Sequence, residues 1–153
     1  MERERTFIAI KPDGVKRGLI GKVITRFEDK GYKIIAMKML TPTKEIAAKH
    51  YEEHYGKPFY EGLVKYITSG PIIAMVVEGV NVVKGARHIM GITQPDEADV
   101  GSIRADFGQI MKQNIVHGSD SVESAMREIS IYFTPEEMNT NWKTLSEILI
   151  DEE

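Results

Sequence analysis

Asn114-Ile115-Val116-His117-Gly118-Ser119-Asp120-Ser121 packs a strand, a turn and a helix start into one short stretch. Asn114 to His117 is a short segment of strand type, and Gly118 to Ser121 are residues of turns and caps. Beyond them Val122, Ala125, Met126 and Ile129 recur at helical spacing, so a helix is expected to start where Asp120 or Ser121 caps it. His117 thus falls at a strand end, where its ring meets the edge of the core beside a polar turn.

Moving outward, Gly91 to Gln113 shows little periodicity, and an irregular run of 23 residues in a compact domain is a misassigned element or a functional loop. Before it, Val82, Val83, Ala86 and Ile89 define a helix with Asn81 as the expected cap and Gly91 at its end. Ile72 to Val77 is apolar throughout, which predicts a central strand covered on both faces. Thr6 to Lys11 reads as a first strand stopped by Pro12-Asp13-Gly14. Leu19, Ile20, Val23, Ile24 and Phe27 read as a first helix ending at Lys30-Gly31. Lys33 to Leu40 is a second strand, and Thr43 is placed to cap a helix whose Ile46, Ala47, His50 and His54 share one face. Phe59, Leu63, Tyr66 and Ile67 form another helix, with Pro58 near its first position. The segment from Thr134 to Glu153 is expected to be a helical tail, starting near Pro135 and carrying Leu145, Ile148 and Leu149. No internal repeat or low-complexity segment is present. This order of elements suits a parallel α/β sheet as well as two interleaved βαβ halves of an α+β sandwich.

With 153 residues and 42% hydrophobic content, the chain supports one sizeable core and a single domain spanning 1–153. Its 28% charged residues, net charge of −3 and lack of a Lys/Arg tract argue against a broad nucleic-acid footprint. The absence of cysteine excludes disulfides and thiolate metal sites. The charged start, Met1 to Arg5, leads into the short apolar run Phe7 to Ile10, far below the length of a signal core or membrane span. A soluble, cytoplasmic protein without a membrane partner is the expectation.

Neither glycine-rich phosphate motif occurs, although Gly14, Gly18 and Gly21 lie close together. His50-Tyr51-Glu52-Glu53-His54 matches the H-x-x-E-H pattern by which some zinc peptidases place two imidazoles one turn apart. A catalytic zinc needs a third ligand, and nothing downstream marks one; the bland reading is a partly exposed helix face. His117 is the stronger candidate. Imidazole, with a reference pKa of about 6.5, is mostly uncharged at neutral pH, so one ring nitrogen can attack phosphorus while a partner fixes the other. Glu128 and Ser119 are candidate partners.

The octapeptide around His117 resembles the signature that surrounds the phosphorylated histidine of nucleoside diphosphate kinases. The resemblance extends to Lys11-Pro12-Asp13-Gly14-Val15, to Ser69-Gly70-Pro71 and to Ser102-Ile103-Arg104-Ala105-Asp106-Phe107, and covers roughly Arg5 to Phe133. It implies a ferredoxin-like α+β sandwich with a four-stranded antiparallel sheet and helices on one face. It also implies magnesium-dependent, two-step exchange in which His117 takes the γ-phosphoryl group of a nucleoside triphosphate and yields it to a nucleoside diphosphate. Carried over by position, Lys11, Tyr51, Arg87, Thr93, Arg104 and Asn114 surround the phosphates and sugar, Phe59 stacks on the base, and Ser119 and Glu128 position the histidine. No protein metal ligands are implied, because the magnesium is carried by the nucleotide phosphates.

Phosphoryl transfer spreads negative charge over equatorial oxygens, so a site needs fixed cations more than acid or base groups. Lys11, Arg87 and Arg104 suit that need, and stacking on Phe59 would tolerate any base. Taken singly, each cation reads by default as a solvated surface charge, and Phe59 reads equally well as a core aromatic. Met111 falls where the family usually has an aliphatic residue lining the base slot. Val100 stands in place of a common proline, Gln94 in place of a common asparagine, and Lys143 to Glu153 departs from the familiar ending. The resemblance implies a homo-oligomer, in the form of a hexamer, with the tail and the long loop, where this chain departs from the pattern, in the subunit contacts. A noncatalytic nucleotide-binding module and a zinc hydrolase built on His50 and His54 are the rival readings.

Overall fold

The computed structural model describes residues 2–152. β1 (Glu4–Ile10) leads through the short α1 (Pro12–Lys16) to α2 (Ile20–Asp29) and then β2 (Lys33–Leu40). α3 (Lys44–His50) and α4 (Tyr60–Ile67) precede β3 (Ile72–Gly79), which is followed by α5 (Val82–Met90), α6 (Ile103–Phe107), β4 (Val116–Gly118), α7 (Val122–Tyr132) and α8 (Leu145–Asp151). Among the described residues the strands form one four-stranded sheet in the order β2-β3-β1-β4, with every pair antiparallel. This is the expected ferredoxin-like sandwich in a single domain, and it excludes the parallel alternative.

Successive strand residues point to opposite faces, and both inner strands are buried along almost their whole length. Ile8, Ile10, Met75 and Val77 pack with Val23 and Phe27 of α2 and with Ala86 and Met90 of α5. Phe7, Ala9, Ala74 and Val76 pack on the other side with Ala47 of α3, Ile67 of α4 and Tyr132 of α7. Helices therefore cover both faces rather than one. The continuous apolar runs of β1 and β3 require it, because a one-sided sandwich would leave Phe7 and Val76 in water.

Several local expectations change. Pro12 does not simply stop β1; it opens α1, a position where its missing N–H costs nothing. α3 ends at His50, and Glu52–His54 is a separate 3-10 turn, so His50 and His54 do not share one helix. Asn81 adopts a left-handed conformation (φ 53°) and makes no side-chain cap. The long loop contains α6, capped by Ser102, whose hydroxyl accepts from the Ala105 amide at 3.3 Å. β4 is shorter than expected: Asn114 and Ile115 lie outside it, Ile115 at φ 75°. Of the two candidate caps for α7, Ser121 is used, accepting from the Ser124 amide at 3.0 Å.

Candidate active site

Register places the histidine. His117 pairs with Ala9 across β1–β4, so it shares the face of Phe7 and Ala9, on which the end of α3 and the flank of α7 lie. Glu128 projects from α7 and Ser119 follows β4. His117 Nε2 lies 2.6 Å from Glu128 Oε1, and the Ser119 hydroxyl donates to the same oxygen at 3.0 Å. Ser119 is fixed from behind, since its amide donates to the Phe7 carbonyl at 3.1 Å and its Oγ accepts from the Phe7 amide at 3.3 Å. Glu128 and Ser119 are both buried, whereas His117 is partly exposed on the wall of an open pocket. With its Nε2 held by a carboxylate, the ring presents Nδ1 as the remaining nitrogen.

The strained turn before β4 assembles the cations. Lys11 Nζ donates to Asn114 Oδ1 at 2.8 Å, and the Asn114 amide group donates to the Thr93 carbonyl at 3.1 Å. The Lys11 amide donates to the Ile115 carbonyl at 2.7 Å, and the Ile115 amide donates to Asp13 Oδ2 at 3.0 Å. These bonds take the backbone groups that a longer β4 would have used, which is why Ile115 tolerates its left-handed φ. Asp13 is itself held by the Tyr66 hydroxyl. Arg104, buried, donates to the carbonyls of Asn114, Gly91 and Val116 at 3.3, 2.8 and 2.6 Å. Arg87 donates to the Gly118 carbonyl at 3.1 Å.

Electrostatics follow from crowding. Burial, aided by Arg104, lowers the Lys11 pKa to about 8. Burial, aided by Arg87, lowers Arg104 to about 10, still charged at neutral pH. Burial and then the Glu128 charge raise the Tyr51 hydroxyl to about 12, so it stays a neutral donor. The Ser124 hydroxyl, and then Arg87, hold the Asp120 carboxyl below its usual range. His50 is pushed well below 6.5, first by burial and then by the neighbouring His117.

Thus Lys11, Tyr51, Arg87, Thr93, Arg104 and Asn114 line one pocket with His117 and Glu128. Ser119 stands behind the wall. Phe59 is not in the lining; half exposed, it sets its ring against His54, which is, with centroids 5.2 Å apart. That exposure rules out Phe59 as a core aromatic. Met111 is also exposed and outside the lining. Sequence reading overlooked Asp13 and Tyr66, which hold the turn, and Asp120 and Arg127 on the pocket wall. Asp13 had a signal, standing two residues from Lys11 in a matched segment. Tyr66 had none, because its partner lies far away in sequence. No third ligand joins His50 and His54: the one cluster of three or more potential ligands among the described residues joins His50 to His117 and Glu128.

Comparison with known proteins agrees with this geometry. The family model described as nucleoside diphosphate kinase matches residues 4–138. A nucleoside diphosphate kinase of Desulforamulus reducens is 58% identical over 135 residues, covering 88% of this chain and 91% of the relative. The cytosolic nucleoside diphosphate kinase of Dictyostelium discoideum is 54% identical over 143 residues, covering 94% and 92%. The structure of a halophilic nucleoside diphosphate kinase from Halobacterium salinarum in complex with CDP superposes with a TM-score of 0.92 at 42% identity, covering 97% of this chain and 99% of that one. The chain belongs to the nucleoside diphosphate kinase family, the phosphotransferases that pass the γ-phosphoryl group of a nucleoside triphosphate to a nucleoside diphosphate by a ping-pong route through a phosphohistidine.

Proposed function

We propose that His117 is the residue phosphorylated, and that Nδ1 is the nitrogen that attacks. The observation that carries this reading is the contact between His117 Nε2 and Glu128, which fixes the proton on Nε2 and leaves a lone pair on Nδ1 toward the pocket. In the first half-reaction the Nδ1–P bond forms as the bond from the γ-phosphorus to the bridging oxygen breaks, and the diphosphate leaves with that electron pair. In the second half-reaction a terminal oxygen of the acceptor diphosphate attacks phosphorus and the N–P bond breaks, returning the pair to Nδ1. The imidazolium-like charge of the intermediate is balanced by Glu128, with Ser119 holding the carboxylate in place.

Lys11 and Arg87 supply charge to the transferring phosphoryl group and Tyr51 supplies a neutral hydroxyl donor. Asn114 and Thr93 are proposed for the sugar and phosphates, and Phe59 for the base. Arg104 is proposed to act mainly by fixing the carbonyls of Gly91, Asn114 and Val116, since its guanidinium is committed to them.

The pocket carboxylates indicate how magnesium would be accommodated. Glu128 is committed to His117, and Glu53 lies 3.8 Å from Arg127, which leaves Asp120. One carboxylate, itself held by the Ser124 hydroxyl, among several cations would suit an ion carried chiefly by the phosphate oxygens of the nucleotide. When bound, magnesium neutralises charge on the β- and γ-phosphates.

A homo-oligomer, specifically a hexamer, is proposed from the family and from the exposure of Val100 in the long loop and of Trp142 in the tail. Sedimentation analysis tests it, and a monomer at micromolar concentration would refute it. Among the described residues no helix is long and apolar enough to cross a membrane. A cytoplasmic location is proposed from the cytosolic relative. The central experiment is incubation with ATP labelled at the γ position. An acid-labile, alkali-stable label lost in His117→Ala is expected; equal labelling of that variant would overturn the assignment.

A further inference from the structure

His50 is not accounted for by phosphoryl transfer. It is 5% exposed, its Nδ1 meets the Tyr132 hydroxyl at 2.7 Å, and its Nε2 is buried with no hydrogen-bond partner among the described residues. Buried polar atoms are nearly always paired, so an orphaned imidazole nitrogen on the wall of an open pocket marks a donor atom that awaits a ligand. The His50 ring meets that of His117 edge-on, with centroids 4.7 Å apart. His50, His117 and Glu128 each offer one ligand atom, and these atoms lie within 4.8 Å of one another. Two imidazoles and one carboxylate are the donor set of many open zinc sites.

We infer that His50, His117 and Glu128 form a site for a borderline transition-metal dication, with zinc as the test case, and that its occupation switches the enzyme off. The switching half of this inference rests on His117 being the phosphorylated residue; the binding half does not. Ligands in a tetrahedron at about 2.0–2.1 Å from zinc sit about 3.4 Å apart, so the set must contract, which rotation of the partly exposed His117 side chain supplies. Whichever nitrogen of His117 is used, phosphorylation stops. Ligation through Nδ1 consumes the attacking lone pair, and ligation through Nε2 breaks the contact with Glu128 that orients the ring. Lys11, Arg87 and Arg104 oppose any bare cation here. They exclude hard ions such as magnesium, which gain little from nitrogen donors, and favour an anion such as chloride as the fourth ligand.

The test uses the full-length protein, stripped with chelator and free of nucleotide. Equilibrium dialysis against zinc chloride should give one tightly held zinc per chain, and nitrogen-15 spectra of the imidazoles should show His50 and His117 shifting together while His54 and His88 stay in place. Protein loaded with zinc and desalted should label from magnesium-ATP at least about tenfold more slowly than the metal-free protein, and chelator should restore the rate. In His50→Gln, zinc affinity should fall by about tenfold or more. Unmoved His50 resonances at stoichiometric zinc, or labelling of the zinc-loaded parent at the metal-free rate, would overturn the inference. Since the spectra are read on the parent, a poorly folded His50→Gln does not remove the test. A metal-free protein that fails to label at all would instead refute the assignment of His117, and dialysis and spectra would still decide whether the zinc site exists.

Discussion

His117 Nε2 sits 2.6 Å from Glu128 Oε1, and that same oxygen receives the Ser119 hydroxyl at 3.0 Å. Since Ser119 is bonded to the backbone of Phe7 on the neighbouring strand, the orientation of the His117 ring is referred to the centre of the sheet rather than to a loop. A side chain held this way is fixed in one geometry by the sheet itself.

Replacing Glu128 by Gln offers the ring an amide that can donate to Nε2 and so stabilise the wrong tautomer. By analogy with orienting carboxylates in other His-dependent enzymes, kcat should fall by about 100-fold or more, with KM for nucleotide changed only a few-fold. Steady-state kinetics in both directions check this, and a kcat within threefold of the parent would show that the contact does not matter.

Lys11 carries its charge below pH about 8 and loses it above, so the phosphate clamp is present at neutral pH and lost as pH rises through 8. The kcat/KM for a nucleoside triphosphate should therefore show an alkaline limb near 8, moved to higher pH in Lys11→Arg. Stability has the opposite sign. Between about 8 and 10.5 the unfolded chain binds more protons than the folded one, so stability rises with pH across that window. The charge on buried Lys11 thus costs the fold roughly 3 kcal/mol at neutral pH. Lys11→Met should lose at least about 100-fold in kcat/KM without a lower Tm at pH 7, as calorimetry would show.

Asp13 reaches Ile115 with one oxygen and Tyr66 with the other, and so ties the left-handed turn to α4. Asp13→Ala leaves both donors unpaired and should cost about 2–4 kcal/mol by denaturant unfolding, against about 1 kcal/mol for Tyr66→Phe. The double variant should cost less than the sum, because the two changes remove one shared interaction.

Phe59 is half exposed, so Phe59→Ala should alter Tm by no more than a few degrees. If the ring stacks on the base, KM should rise by about tenfold for purine and pyrimidine nucleotides alike. A large stability loss with unchanged KM would return Phe59 to a structural role.

The unbroken apolar runs of Phe7–Ile10 and Ile72–Val77 and the helical spacing in α2, α5 and α7 were enough to locate the inner strands and most helices, because those signals arise from neighbours along the chain. The octapeptide around His117 and its companion segments carried the family, and with it the antiparallel sheet that periodicity alone left open. What the chain's own order could not carry was anything made by partners distant in sequence. Asn114 and Ile115 look like strand residues, yet Lys11 and Asp13 capture their polar groups and bend them out of β4. His50 and His54 look like a pair, yet the end of α3 turns His50 toward His117. Arg104 reads as a phosphate ligand, and the fold in addition brings three backbone carbonyls to its guanidinium that no local pattern announces. The proposed choice between the two nitrogens of His117 belongs to the same class, since it rests on a carboxylate on α7 that only the packing of α7 against β1 brings within reach. Local sequence sets which conformations are cheap, and tertiary packing decides which polar groups meet.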